Sequence, residues 1–219
     1  MKGEIMPNQM DFAYEEIRKK IISGEYKPNE NLTEIFLSNS LNVSRNTIKK
    51  ALIKLENENL IVLEKNKGAR VKSFTLQEVL DYLEVRLALE ILIITKVVQE
   101  ITEEQLLKLS EVMENMKKCF EENNLVKYSE NNQIFHKIIY DSCSNKIAVK
   151  SVEIIKSQLN RYKLKTILIP GRKNQSINEH ISIVEALKER DVEKSQKMIK
   201  NHIENIAKAL KDYYSFIFN

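Results

Sequence analysis

Apolar positions recur at helical spacing along most of this 219-residue chain, interrupted by two short β-prone runs near residue 65. From Phe12 to Ser23, the residues Ala13, Ile17, Ile21 and Ile22 follow a 3.6-residue turn, and Gly24 stands ready as a left-handed terminator. Thr33 to Leu41 reads as a second short amphipathic helix with Ile35, Phe36, Leu37 and Leu41 as its apolar positions. After the brief link Asn42-Val43, Ser44 is placed to cap a third helix. Its seam is Ile48, Ala51, Leu52 and Leu55. Ile61-Val-Leu-Glu64 and Ala69-Arg-Val-Lys72 then flank Lys65-Asn-Lys-Gly68, a hairpin around a glycine-bearing turn. Three helices followed by a hairpin predict a winged helix-turn-helix over residues 1–74.

From Thr75 onward the strand signal disappears. Thr75 can cap a long helix running through Val79, Leu83, Leu87 and Ile94 to about Glu100. Thr102-Glu-Glu-Gln105 is a capping box opening a helix with Leu106, Leu109, Val112, Met113 and Met116. Helical patterns continue over roughly 124–142, 145–168, 174–189 and 192–214, with Asp191 placed to cap the last. Residues 75–219 thus predict an antiparallel all-α bundle of about six helices, and the chain is mostly α.

The third helix carries the first chemistry. Arg45, Asn46, Lys49 and Lys50 point away from its apolar seam, with Ile53 the one apolar residue among them. A first turn that presents Arg45, Asn46 and Thr47 suits a DNA major groove. Arg can take guanine O6 and N7, Asn can take adenine, and lysines and the helix N-terminus suit phosphate. A solvated charged helix on an ordinary bundle explains this helix equally well when it is taken alone. The preceding short helix and the following hairpin tip the balance toward DNA. Lys65, Lys67 and Arg70 of the wing can reach backbone or minor groove beside it.

All three histidines lie in the second half: His136, His180 and His202. Asn132 and His136 are four apart and share a helix face. His180 and His202 fall on two successive helices joined by a turn near Arg190-Asp191, which could bring both imidazoles beside His136. Three neutral imidazoles and one oxygen donor suit a first-row divalent cation such as Zn²⁺, Ni²⁺ or Mn²⁺.

Composition narrows the class. Only 4 Gly and 3 Pro agree with a helical protein, and 42% hydrophobic residues suffice for a core. The net charge of +4 is too small for blanket polyanion binding. Residues 1–73 hold 13 Lys and Arg against 10 Asp and Glu, and the remainder 22 against 21, so the face of the third helix argues more than the total. No apolar run approaches membrane length; Leu87 to Thr95 is the strongest and Glu90 interrupts it. Met1 to Pro7 carries no secretory leader, and Cys119 and Cys143 have neither metal nor redox spacing. A cytoplasmic protein with reduced thiols is the expectation.

These residues resemble the GntR family of bacterial transcription regulators. Gly24, Pro28 and Leu32-Thr-Glu34, then Leu41-Asn-Val-Ser-Arg-Asn-Thr47, Ala51-Leu-x-x-Leu-Glu56 and Asn66-Lys-Gly-Ala-x-Val71 follow the family's DNA-binding pattern in order and spacing. The family usually has Gly where Asn29, Asn42 and Asn59 stand, and Asn best tolerates the left-handed backbone such turns need. Lys49-Lys50 replaces the family's Arg-Glu, keeping a phosphate contact and losing a bidentate fork. The resemblance implies a DNA-contacting set of Thr33, Ser44, Arg45, Asn46, Thr47, Lys49, Lys50, Lys65, Lys67 and Gly68. Further on, Glu84-Val-Arg-Leu-x-Leu-Glu90, Asn132-x-x-Phe-His136, Ser144-Asn145 and Glu179-His-x-x-Ile-x-x-Ala186, with Asp191, Met198 and His202, are similar to the FCD effector domain of the FadR-type subfamily. That similarity implies His136, His180 and His202 as metal ligands, with Asn132 at the place of a family Asp. A neutral amide is the weaker donor, so affinity is expected to fall.

Arg86 is the natural candidate to hold an anionic effector, because a guanidinium matches carboxylate geometry. An intrahelical pair with Glu90 is the alternative. Arg161 and Arg172 could do either job. Tyr82, Tyr162 and the tail Tyr213 to Phe218 suit packing or a dimer surface better than a cofactor box. The leading expectation is a ligand-responsive repressor that is not an enzyme. It binds a pseudo-palindromic operator as a homodimer and senses a small organic acid at or near a divalent metal. The alternative is a metal-dependent hydrolase using the three histidines, for which Glu179 is the one nearby candidate base. A pure dimeric scaffold leaves the histidines and the basic helix face unexplained.

Overall fold

The computed structural model describes residues 8–65 and 67–218, so Met1 to Pro7, Asn66 and Asn219 lie outside the described residues. The chain divides into two compact units. One comprises the residues up to Thr75 together with Lys156–Arg161, and the other Leu76–Ile155 with the residues from Tyr162 onward.

The first unit contains α1 (Gln9–Ser23), β1 (Asn31–Leu32), α2 (Glu34–Leu41), α3 (Arg45–Asn57), β2 (Ile61–Glu64) and β3 (Gly68–Val71). The caps are those the sequence called for. Gly24 ends α1 at φ 81°, and the Ser44 hydroxyl accepts from the Thr47 N–H at the start of α3. Asn29, Asn42 and Asn59 all take positive φ, at 66°, 53° and 56°, so each asparagine performs a glycine's backbone task. The core joins Ile17 and Ile21 of α1, Leu37 of α2, the whole seam of α3, and Leu60, Ile61, Ala69 and Val71 of the wing. Of the four apolar residues of α2, only Leu37 is buried. Ile35 and Phe36 are exposed, because consecutive helical residues turn about 100° apart and cannot share one inward face.

The sheet has the order β1-β3-β2, with both pairings antiparallel. The two-residue β1 adds to the expected hairpin, setting Asn31 opposite Arg70 and Leu32 opposite Ala69. Gly68 makes this possible: at φ +92° a Cβ there would stand 2.6 Å from the Leu32 carbonyl oxygen.

The second unit contains α4 (Leu76–Glu100), α5 (Glu103–Glu121), α6 (Leu125–Asp141), α7 (Lys146–Ile167) apart from its Lys156–Arg161 stretch, α8 (Arg172–Lys188), α9 (Val192–Asp212) and a short α10 (Tyr214–Phe218). Thr102 and Gln105 form the capping box of α5, and Asp191 caps α9 through the Lys194 N–H. Within the bundle α4 packs on α9, α5 on α6 and α8, and α8 on α9. Its apolar core includes Ile93, Ile94, Val97, Leu109, Met116, Phe135, Ile183 and Ile199. Cys119 and Cys143 are both buried and free. No described helix is long and apolar enough to cross a membrane.

Gly68→Ala should therefore push β1 off β3 and destabilise the protein by roughly 1–3 kcal/mol. Urea unfolding reads this as a lower midpoint, and a midpoint equal to wild type would mean that Leu32 yields without penalty.

Candidate functional site

Two constellations carry chemistry, one in each unit. In the first, a groove of about 840 Å³ runs among the start of α2, α3 and the wing. Thr33, Arg45, Lys49, Lys65, Lys67 and Gly68 line it. Ser44, Asn46, Thr47 and Lys50 belong to the same end of α3 outside that lining, and Lys50 and Asn46 are exposed. The Arg45 and Lys49 side chains are 61% and 57% exposed, free of the core as a docking face requires. The hydroxyls of Thr33 and Ser44 are already engaged as helix caps, so a ligand would share them with the Phe36 and Thr47 N–H groups.

Glu34 is the residue the sequence reading passed over. It is the first residue of α2, and its Oε2 lies 3.3 Å from Arg45 Nη2 and 3.8 Å from Lys49 Nζ. Pairs this exposed are weak, so an incoming phosphate can replace the carboxylate. On the wing, Arg70 Nε is held by Glu64 at 2.6 Å, which leaves Lys65 and Lys67 as its outward cations.

In the second unit, α6, α8 and α9 bring His136, His180 and His202 together in the interior, their ligating nitrogens within 4.8 Å of one another. The Nε2 atoms of His136 and His180 are 3.5 Å apart. Two nitrogens on one tetrahedral Zn²⁺ stand about 3.4 Å apart, given bonds of about 2.1 Å. Hydrogen bonds on the far side of two rings fix their tautomers. His180 Nδ1–H donates to the Ser176 carbonyl at 2.6 Å, and His202 Nδ1–H donates to Glu179 Oε2 at 2.7 Å. Each Nε2 lone pair is thereby turned inward, the carboxylate- or carbonyl-backed arrangement typical of metal-bound imidazole. Burial, then the nearby His202, holds His180 well below its usual pKa, which keeps the ring neutral as ligation requires. Asn132 lies one turn before His136, and its Oδ1 is buried without a hydrogen-bond partner among the described residues. An amide oxygen in that state fits a cation's demand for a further donor.

The hydrolase alternative needs Glu179 as a general base, with its carboxylate free to take a proton. Instead it takes Arg172 Nη2 at 3.1 Å, His202 at 2.7 Å and Asn205 Nδ2 at 2.8 Å. Burial raises its pKa and Arg172 opposes the rise. A carboxylate held by three partners orients its neighbours and is not poised as a general base. Arg86 is buried, and its Nε pairs with Glu90 Oε1 at 3.0 Å, the intrahelical alternative. The Tyr140 hydroxyl donates to the same oxygen at 2.6 Å, and its ring stacks on His136. The Arg161 side chain lies outside those described.

The comparisons agree with both halves. The FCD domain family matches residues 81–205, and the family described as bacterial regulatory proteins, gntR family, matches residues 9–71. The HTH-type transcriptional regulator YdhC of Bacillus subtilis (strain 168) is 26% identical over 202 residues, covering 90% of this chain and 89% of that protein. The HTH-type transcriptional repressor RspR of Escherichia coli (strain K12) is 23% identical over 198 residues, 90% and 87% of the two chains. The gluconate operon transcriptional repressor of Bacillus licheniformis is 24% identical over 204 residues, 91% and 84%. The solved structure of E. coli McbR/YncC superposes with a TM-score of 0.79 at 19% identity, covering 95% of this chain and all of that one, a likeness of fold.

Glu34→Gln is expected to release Arg45 and Lys49 and to raise affinity for a random-sequence duplex severalfold. Fluorescence anisotropy at fixed salt measures it; an unchanged or weaker affinity would show that the carboxylate does not compete with phosphate.

Proposed function

This chain belongs to the GntR family of bacterial regulatory proteins and carries an FCD domain, and on that premise we propose that it is a cytoplasmic, ligand-responsive repressor acting on operator DNA as a homodimer. The family and the relatives named above are transcriptional regulators, not enzymes. One observation carries the DNA reading: the exposed Arg45 and Lys49 of α3 and Lys65 and Lys67 of the wing open on one groove. In this reading Arg45 and Asn46 take base edges, with Thr47 beside them. Thr33, Ser44, Lys49, Lys50, Lys65, Lys67 and the Gly68 backbone hold phosphate and sugar. One recognition helix reads only a few base pairs, so two copies on a pseudo-palindromic site supply the rest. Repression rather than activation is favoured by relatives that bear the name repressor.

The bundle is the sensing part. His136, His180 and His202, with Asn132, would hold a divalent ion such as Zn²⁺, Ni²⁺ or Mn²⁺, and the ion would supply a Lewis-acidic anchor for a small carboxylate. The gluconate operon repressor's name adds sugar acids to the candidates. Arg86 lies along the same seam, with its guanidinium already held by Glu90. An effector that prefers one bundle arrangement changes operator affinity by its differential binding free energy.

Arg45→Ala should cost about 1–3 kcal/mol on a duplex selected by the wild type from a random library, and should relax base choice at one position per half-site. Unaltered affinity and preference would remove α3 from the reading. For the metal, Asn132→Asp should tighten binding about tenfold, or ~1.4 kcal/mol. Elemental analysis after dialysis against each cation decides the matter: wild type and variant both emerging metal-free would end the proposal.

A further inference from the structure

The histidine cluster is the middle of a longer polar seam, and its far end is unlike the rest. On α6, Tyr128, Asn132, His136 and Tyr140 follow one another at four-residue steps of about 6 Å. On α8, Arg172, Ser176 and His180 do the same. Toward Tyr140 the seam is closed, because Arg86 and Tyr140 both engage Glu90. Toward Tyr128 and Arg172 it is open in a chemical sense. Tyr128 is fully buried, yet its hydroxyl meets no hydrogen-bond partner among the described residues. Arg172 is 6% exposed; Nη2 binds Glu179, while Nη1 is buried and meets no hydrogen-bond partner among the described residues. The starts of α6 and α8 lie together, since Lys173 Nζ donates to Asn123 Oδ1 at 3.1 Å; burial raises the pKa of the Tyr128 phenol, while Ser176 and the Arg172 charge lower it. Buried polar groups are normally satisfied, and two such donors at the same end of one seam call for a common acceptor.

We propose that Tyr128 and Arg172, rather than Arg86, form the anion anchor of the bundle, where the Tyr128 O–H and Arg172 Nη1–H donate to the two oxygens of a small carboxylate. This rests on the effector reading above and deepens it by naming the end of the seam that captures the ligand. Charge favours a monoanionic group. Glu179 already balances part of the Arg172 charge, so a singly charged carboxylate is accommodated and a phosphate dianion is opposed. Arg86 has Glu90 as its own carboxylate on the same helix, and a ligand would have to displace it.

The test uses the full chain and differential scanning fluorimetry with acetate, L-lactate, D-gluconate and succinate at millimolar concentration, with inorganic phosphate alongside. At least one carboxylate should raise the wild-type Tm, and phosphate should not. Tyr128→Phe should leave the ligand-free Tm unchanged or higher, since it deletes a buried hydroxyl with no hydrogen-bond partner among the described residues, and should weaken the carboxylate's Kd severalfold. Arg172→Lys should weaken it about tenfold or more, having lost the forked donor, while Arg86→Lys should leave it within twofold. Should Arg172→Lys fail to fold, Tyr128→Phe still decides. The proposal is overturned if no carboxylate stabilises the wild type, if phosphate stabilises it more, or if Tyr128→Phe binds as wild type does. Carboxylate binding that depends on Tyr128 but leaves DNA affinity untouched would keep this anchor and discard the effector role. Binding that depends on Arg86 alone would do the reverse.

Discussion

The interior of the second unit depends on one buried carboxylate. Glu179 fixes the His202 tautomer, neutralises Arg172 and ties Asn205 of the same helix as His202, so α8 and α9 are joined through it. Without it, His202 would be free to turn either nitrogen inward, and the Arg172 charge would be buried and unopposed. A ring that can flip is a poor ligand; a ring held from behind presents the same lone pair every time. The Ser176 carbonyl does for His180 what Glu179 does for His202, with a backbone atom in place of a charged one. Two of the three imidazoles, His180 and His202, are therefore ordered before any guest arrives.

Much of this was legible in the residues, for physical reasons. Helix caps announce themselves because few side chains can accept from a first-turn N–H, and Ser44, Thr102 and Asp191 each do so where the pattern placed them. The histidines could be grouped because four-residue spacing puts Asn132 and His136 on one face and a tight turn returns α9 beside α8. What stayed hidden has a common cause, contact between distant parts of the chain. β1 is two residues long and has no periodicity of its own; it exists because β3 offers an edge. Glu34 acquires its partners only in the fold, where α3 lays Arg45 and Lys49 over it. Glu179 follows the same rule, since a helix neighbour of His180 can face α9 while His180 faces α6.

The asparagines at positions 29, 42 and 59 show how a chain with 4 glycines still turns sharply. Left-handed geometry is strained for most residues and only mildly so for Asn, whose short amide can bond locally. Each Asn also has fewer unfolded conformations than Gly, which offsets some of that strain. Gly68 admits no such exchange. Its φ of +92° is compounded by a backbone neighbour 2.6 Å from any Cβ.

That close approach has a mechanical result. Leu32 is stitched to Ala69, and the very next residues, Thr33 and Glu34, open α2 and touch α3. Wing and short helix are thus fastened along the β1–β3 edge, with the bare Gly68 α-carbon at its point of closest approach. A displacement of the hairpin is therefore handed to the start of α2 and, through Glu34, to Arg45.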